Sequence, residues 1–215
     1  MYIPRQFDEP RLPVLHDAIR RTTLATLVTM TPHGLTATHL PLLLDADRGP
    51  NGTLVGHVAR ANSQWRDSLP DADALAIFLG PEAYISPSWY ASKRETGKVV
   101  PTWNYIAVHA YGRAEFFDDV ERLRVVVTRL TEAHEEASAE PWHVTDAPVR
   151  YIDLELKAIV GVEIPIQRLD GKWKLNQNRS EADRTGVIDA LESRDHGTDA
   201  DVARAMRAAE QDRTR

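Results

Sequence analysis

Apolar and polar positions change pattern repeatedly along the chain, and the changes mark its elements. Leu12, Leu15 and Ile19 share one helical face. Asp8 as cap and Pro10 in the first turn complete a short N-terminal helix. Strand patterns follow at Leu24–Met30, Thr36–Leu44 and Thr53–Val58. They are separated by a turn at Thr31–Gly34 and a polar loop at Asp45–Gly52, and Pro41 marks a distortion within the second strand. Consecutive strands with no helix between them predict a meander, hence an antiparallel sheet or barrel. Ala59–Leu69 then reads as a helix start, capped by Asn62, with Trp65 and Leu69 four apart.

Leu75–Leu79 is a buried strand by pattern, and Ile106–Phe117 another, with Gly112 as a bulge. Asp118 and Glu121 have the spacing of a capping box. They open a helix that runs to about Ala137, with Leu123, Val126, Val127 and Leu130 on its apolar face. Residues 140–148 read as an irregular connector and Val149–Leu156 as a short helix. Ala158–Arg168 returns to strand, Asp170-Gly171 to a turn, and Lys172–Asn178 to an extended segment. Ser180–Leu191 and Thr198–Gln211 predict two closing helices. The expected class is mainly β with flanking helices (α+β). Residues 1–195 form one domain, and residues 196–215 are a helical tail of that domain.

One stretch breaks these patterns. Gly80–Tyr105 carries the aromatics Tyr84, Trp89, Tyr90, Trp103 and Tyr105 among prolines and hydroxyl side chains. Pro81, Pro87 and Pro101 fix the backbone and remove donors. Rigid backbone, flat rings and small polar groups suit a flat, polar-rimmed ligand; a Pro-rich loop folded over its own aromatics is the alternative. At the Ala59–Leu69 helix start, free amides and Arg60 offer an anion site, while an ordinary capped helix explains the same residues.

Composition narrows the chemistry. There is no Cys, which excludes disulfides, thiolate metal sites and thiol catalysis. His39, His57 and His109 fall in predicted strands and form no metal-binding spacing, and no nucleophile elbow, P-loop or GxGxxG turn is present. A net charge of −6 opposes non-specific binding to nucleic acid and leaves only local basic patches for such contact. The N-terminus lacks the apolar core of a signal peptide, and no apolar run is long enough to span a membrane, so the expected location is the cytoplasm.

Several longer motifs resemble the PaiB family of FMN-binding negative transcriptional regulators. They are MYIPRQF at the start, HLP from His39, GHVARANSQW from Gly56 and FLGPEAYISPSWY from Phe78. VPTWNY from Val100, AIVGVEI from Ala158, GKWKLNQNR from Gly171 and DRTGVI from Asp183 extend the resemblance to about residue 191. It implies an FMN-binding split β-barrel, antiparallel with C-terminal helices, related to pyridoxamine-phosphate oxidases and flavin reductases, and a homodimer with FMN at its interface. It further implies Arg60 at the flavin phosphate with Asn62 close by, and His39 and Leu40 along the flavin ring. Ser86, Ser88, Thr102, Trp103 and Asn104 would complete the pocket, and Lys174 and Gln177 would close over the flavin. A second basic residue often follows the phosphate arginine in this superfamily; here Ala61 stands there. Deazaflavin or haem are the alternative cofactors. An FMN-dependent oxidoreductase, of the flavin reductase or pyridoxamine-phosphate oxidase type, is the alternative function. DNA is the partner that the regulator resemblance implies. Lys93, Arg94, Lys98, Lys172 and Lys174 are the basic residues from which a dimer would build such a surface.

Overall fold

A computed structural model describes residues 1–22, 24–194 and 196–213. In chain order the elements are α1 (Leu12–Arg21), β1 (Leu24–Thr31), β2 (Gly34–Asp45), β3 (Thr53–Ala59), α2 (Gln64–Asp67), β4 (Ala74–Ile85) and α3 (Ser92–Thr96). They continue as β5 (Thr102–Gly112), β6 (Glu115–Phe117), α4 (Val120–Glu135), α5 (Val149–Leu156), β7 (Ile159–Pro165), β8 (Arg168–Lys174), α6 (Glu181–Glu192) and α7 (Asp199–Arg213). The strands are hydrogen-bonded in the order β6-β7-β3-β2-β1-β4-β5-β8. The antiparallel α+β expectation holds, down to the β1-β2-β3 meander and the two C-terminal helices. None of the helices among the described residues is long and apolar enough to cross a membrane.

The described residues form two compact units. A central unit comprises Leu12–Phe78 and His109–Leu169; a terminal unit comprises Met1–Arg11, Leu79–Val108 and the described residues from Asp170 onward. The boundary expected after Asp195 falls at a residue outside the described ones.

In the central unit, β1 and β2 pair over their whole length, from Leu24 opposite Pro41 to Thr31 opposite Gly34. Alternation sends Ala25, Leu27 and Leu40 inward, where they are buried. The opposite face carries Leu24, Thr26, Val28 and Met30 against Pro41, His39, Ala37 and Leu35. Leu75 and Ile77 of β4 extend it. This second face is apolar and open: Leu35 is 71% exposed and Leu24 61%. Helix α4 covers another part of the unit, its Val126 and Leu130 packing on Val55. Its Leu123 packs with Ile152 and Leu156 of α5.

In the terminal unit, Ala83 and Ile85 of β4 join Leu175, Val187, Leu191 and Met206 in one apolar cluster, with Trp173 packed against it. Burying each such aliphatic side chain contributes about 1.5–3 kcal/mol. The N-terminal segment adds an edge contact, because Asp8 bridges to Lys172 and the Glu9 amide donates to Gly171 O at 3.1 Å.

Several element ends differ from the sequence reading, each for a local reason. Asp8 is occupied by its bridge to Lys172, so α1 starts only at Leu12, and the Glu9 carboxylate takes the Arg11 amide at 3.0 Å. The same edge contact keeps Asp170 and Gly171 inside β8 and not in a turn. Gly80–Ile85 is strand, the second half of β4, although its proline and exposed aromatics hid the alternation. The helix expected over Ala59–Leu69 shrinks to the four residues of α2. Asp119, not Asp118, caps α4, accepting from the Arg122 amide at 2.8 Å. Gly112 ends β5 and is no bulge: a Cβ there would meet the Pro165 carbonyl oxygen at 2.2 Å.

Candidate functional site

The residues singled out from the sequence fall into two groups, one in each unit. His39, Leu40, Arg60 and Asn62 belong to the central unit; Ser86, Ser88, Thr102, Trp103, Asn104, Lys174 and Gln177 belong to the terminal unit.

In the central unit, β3 pairs with β2 only from Leu42 to Asp45. Before Leu42, side chains that follow β3 reach β2 and the β1–β2 ladder. Gln64, buried, donates to Thr36 O at 3.3 Å, and Asn62 Nδ2 donates to Thr38 Oγ1 at 2.8 Å. In an antiparallel strand alternate residues turn both backbone groups to the same edge. The two-residue turn between Thr31 and Gly34 makes Thr29 with Thr36, Leu27 with Thr38 and Ala25 with Leu40 the hydrogen-bonded pairs, so Ala37 and His39 turn their backbone groups to the edge away from β1. Asn62 is fixed at both ends, since its Oδ1 takes the Gln64 amide at 3.0 Å. His39 points to the open face, its Nδ1 2.9 Å from Thr26 Oγ1.

Arg60 is clamped. Its Nε donates to Lys157 O at 2.7 Å and its Nη2 to Ile159 O at 3.1 Å, while Nη1 lies 3.6 Å from the exposed Asp118 carboxylate. The guanidinium has five N–H donors, so the two carbonyls fix its plane and leave donors on its outer edge. Trp65 Nε1 donates to Arg60 O at 3.0 Å and stiffens the same turn.

In the terminal unit, strand alternation separates two faces. Ala83, Ile85, Ile106 and Trp173 face the apolar cluster. Tyr84, Trp103, Tyr105, Lys172 and Lys174 occupy the alternate positions. The Tyr84 and Trp103 rings meet edge-on with centroids 5.9 Å apart, and both rings are exposed. Lys174 Nζ donates to Thr102 Oγ1 at 2.5 Å and to Trp103 O. Burial first, then the neighbouring charges of Lys172 and Arg179, hold its amine below the ordinary lysine value. Lys172 is buried, donates to Tyr2 O at 3.1 Å, and lies 5.2 Å from the Tyr105 ring centre.

The remaining expected residues serve local structure. Ser86 Oγ takes the Ser88 amide at 3.2 Å, and Ser88 Oγ takes Lys93 Nζ at 3.0 Å. Gln177 bonds within its own turn, to the Leu175 amide and Trp173 O. Asn104 is fully buried; its Nδ2 donates to Met206 Sδ at 3.4 Å and its Oδ1 has no partner. Arg179, in the same KLNQNR stretch as Lys174, was given no role from sequence; the only signal for it was its place in that basic motif.

Comparison with known proteins agrees with this architecture. Residues 1–168 match the family described as "Putative FMN-binding domain". The chain is 34% identical over 206 residues to Protease synthase and sporulation protein PAI 2 of Bacillus subtilis, covering 96% of each chain. It is 36% identical to the uncharacterized protein AN0679 of Emericella nidulans, covering 93% of each. Among solved structures, the FAD and heme binding protein of Mycobacterium smegmatis superposes with a TM-score of 0.56 at 16% identity, over 78% of this chain and 73% of that one. That likeness is one of fold, the FMN-binding split barrel.

Proposed function

Because this chain belongs to the FMN-binding family that its residues 1–168 match, we propose that it binds FMN along the open edge of β2 and works as a PaiB-type regulator. The observation that carries the flavin assignment is that edge itself. It combines backbone N–H and C=O groups at Ala37 and His39, a fixed amide at Asn62, and a guanidinium clamped flat at Arg60. A flavin ring has a polar edge of donors and acceptors and a phosphate tail, and these groups are complementary to both. Arg60 supplies charge to the phosphate in exchange for its exposed pair with Asp118, a pair of the kind that contributes little. When bound, FMN supplies one- and two-electron redox chemistry of its own.

The working unit in this reading is a homodimer. The open face of β1 and β2 is a continuous apolar surface, and a second copy of the chain covers it. The regulator role is supported by α3, which exposes Lys93 and Arg94, followed by exposed Lys98. In an acidic chain such a local patch is the part able to meet DNA phosphates.

The test is a visible spectrum and a flavin titration of the purified protein. Absorption bands of bound oxidised flavin support the reading; haem bands or a deazaflavin spectrum overturn it. Anisotropy titration with duplex DNA from upstream of its own coding sequence then tests regulation. No salt-sensitive binding, together with reduction of the bound flavin by a nicotinamide nucleotide, would assign an oxidoreductase instead.

A further inference from the structure

Helix α4 is charged the wrong way round at its end. Cations are favoured in the last turn of a helix, where its carbonyls point, and acids in the first. Glu132 and Glu135 occupy the last turn of α4 and Glu136 its C-cap, with only His134 as a base among them. Glu132 and Glu136 are also four apart, the spacing at which like charges repel. Many other acids of the chain meet arginines: Asp153 meets Arg124, Glu163 meets Arg122 and Glu192 meets Arg207. Among the described residues, none of these three glutamates is in an ion pair. The Glu135 carboxylate takes the Trp142 amide at 3.1 Å.

The three acids border a cleft. Near its start α4 is tied to Glu163 of β7 by Arg122, and further on to Asp45 of β2 by Arg129. The helix therefore crosses β7, β3 and β2, and its last turn reaches past β2. Between that turn and the end of α1, over residues 42–44, lies a cavity of about 710 Å³, with residues of the connector after α4 as its far wall. That volume is in the range of small-molecule sites. Leu43, Leu130 and Ala133 give it an apolar floor. Arg129 lines it too, but its guanidinium is held by Asp45, and Arg20 on the α1 side is outnumbered by the glutamates. The acidic excess of the whole chain lies in this central unit. None of the lining residues belongs to the flavin edge of β2.

We propose that this cleft binds an organic ammonium ion with an apolar body. The ammonium sits between Glu132 and Glu136 at the end of α4, where it supplies the missing counter-charge. The apolar body rests on Leu43, Leu130 and Ala133. An anion of the same size meets three carboxylates and the carbonyl end of the helix, and is kept out. A neutral molecule gains only the floor.

The experiment uses hexylamine, 1-hexanol and hexanoate as probes on the full-length protein at neutral pH, with calorimetry and Tm as readouts, in the presence and absence of FMN. Hexylamine binds at least about tenfold more tightly than hexanol, as hydrogen bonds to a charged group imply. Hexanoate binds more weakly than hexanol, and FMN leaves this order unchanged. Glu132→Gln combined with Glu136→Gln removes the preference for hexylamine. That double variant melts no lower than the wild type, because it relieves a repulsion; a fall in its Tm would make the glutamates structural and overturn the proposal. Ala133→Trp fills the floor from an exposed position and weakens hexylamine and hexanol alike. Equal affinity for hexylamine and hexanol, or a preference that persists in the folded double variant, overturns the ammonium site. So does an absence of hexylamine binding at tens of millimolar. Hexylamine binding lost on saturation with FMN would give the cleft to the flavin instead. Affinity that falls as protein concentration rises would show a second copy of the chain in the cleft, and overturns the site as well.

Discussion

Asp183 accepts two hydrogen bonds from Ser92, one from its amide at 2.9 Å and one from its hydroxyl at 2.8 Å, across 91 residues of sequence. Burial raises the Asp183 pKa, but these bonds and one from Ser180 outweigh it and hold the carboxyl below its usual range. Helix α6 thus fixes the start of α3, in a segment that composition alone reads as a loose basic loop. Asp183→Ala removes both acceptors. The expected loss is about 2–3 kcal/mol, a fall in Tm of about 4–12 °C. Tryptic cleavage after Lys93 and Arg94 should accelerate. An unchanged Tm with unchanged cleavage would show that this contact does not hold α3.

Gly186 lies inside α6, where alanine ordinarily stabilises a helix by about 0.5–1 kcal/mol. Here a Cβ would stand 2.3 Å from the Trp89 carbonyl oxygen. The sign therefore reverses, and Gly186→Ala should destabilise by about 1–3 kcal/mol. Urea unfolding checks it: a higher midpoint than wild type would mean that α6 and the Pro87–Trp89 turn can move apart freely.

Acid should weaken the central unit. Arg129 foremost, then Arg48, holds the Asp45 carboxyl below its ordinary value, and Arg48 then Arg122 does the same for Glu163. Both folded pKa values are lowered, so the stabilisation is complete above the unfolded values of about 4. It is lost as pH falls through the folded ones. His57 adds an earlier step, because burial lowers its pKa and the unfolded chain takes up its proton first. Stability should begin to fall below about pH 6.5 and fall further below about pH 4. His57→Gln should flatten the first step and leave the second. Denaturant midpoints measured from pH 7 to pH 3 decide the matter; a flat profile would contradict both assignments.

The open apolar face of β1 and β2 predicts the assembly state. Leu35→Glu places a charge on an exposed position, so the folded monomer should tolerate it within about 0.5 kcal/mol. In the proposed dimer that charge is buried without a partner. Light scattering should move from a dimer mass to a monomer mass at micromolar concentration. A wild-type protein that is monomeric throughout this range would remove the dimer from the reading.

Much of the central unit was legible in advance. The β-rich run from Leu24 to Met30 and the turn that ends at Gly34 identify β1 and β2 to within about two residues, and Val149–Leu156 has the expected bounds. Elements whose ends are decided by distant partners were not. Nothing near Asp170-Gly171 reveals that the N-terminal segment pairs there, and nothing near Ser92 reveals Asp183. The environments of the candidate residues were not legible. Asn104, expected in the pocket, is buried against Met206, and Arg60, expected at an anion site, is also bonded to two carbonyls. Such details depend on long-range packing, which residue patterns within one window do not carry.

The edge contact of Asp8 and Glu9 with β8 has a consequence for how this protein is made. The first eleven residues leave the ribosome long before Gly171 and Lys172, their partners. The terminal unit therefore has no way to close during most of translation, whereas the strands from Leu24 to Ala59 can pair as soon as they emerge. A fragment ended near residue 168 keeps the β1-β2-β3 meander but strands the N-terminal segment and the exposed apolar side of β4 and β5 without α6 and α7. Versions of this chain shortened there should be sticky at that end.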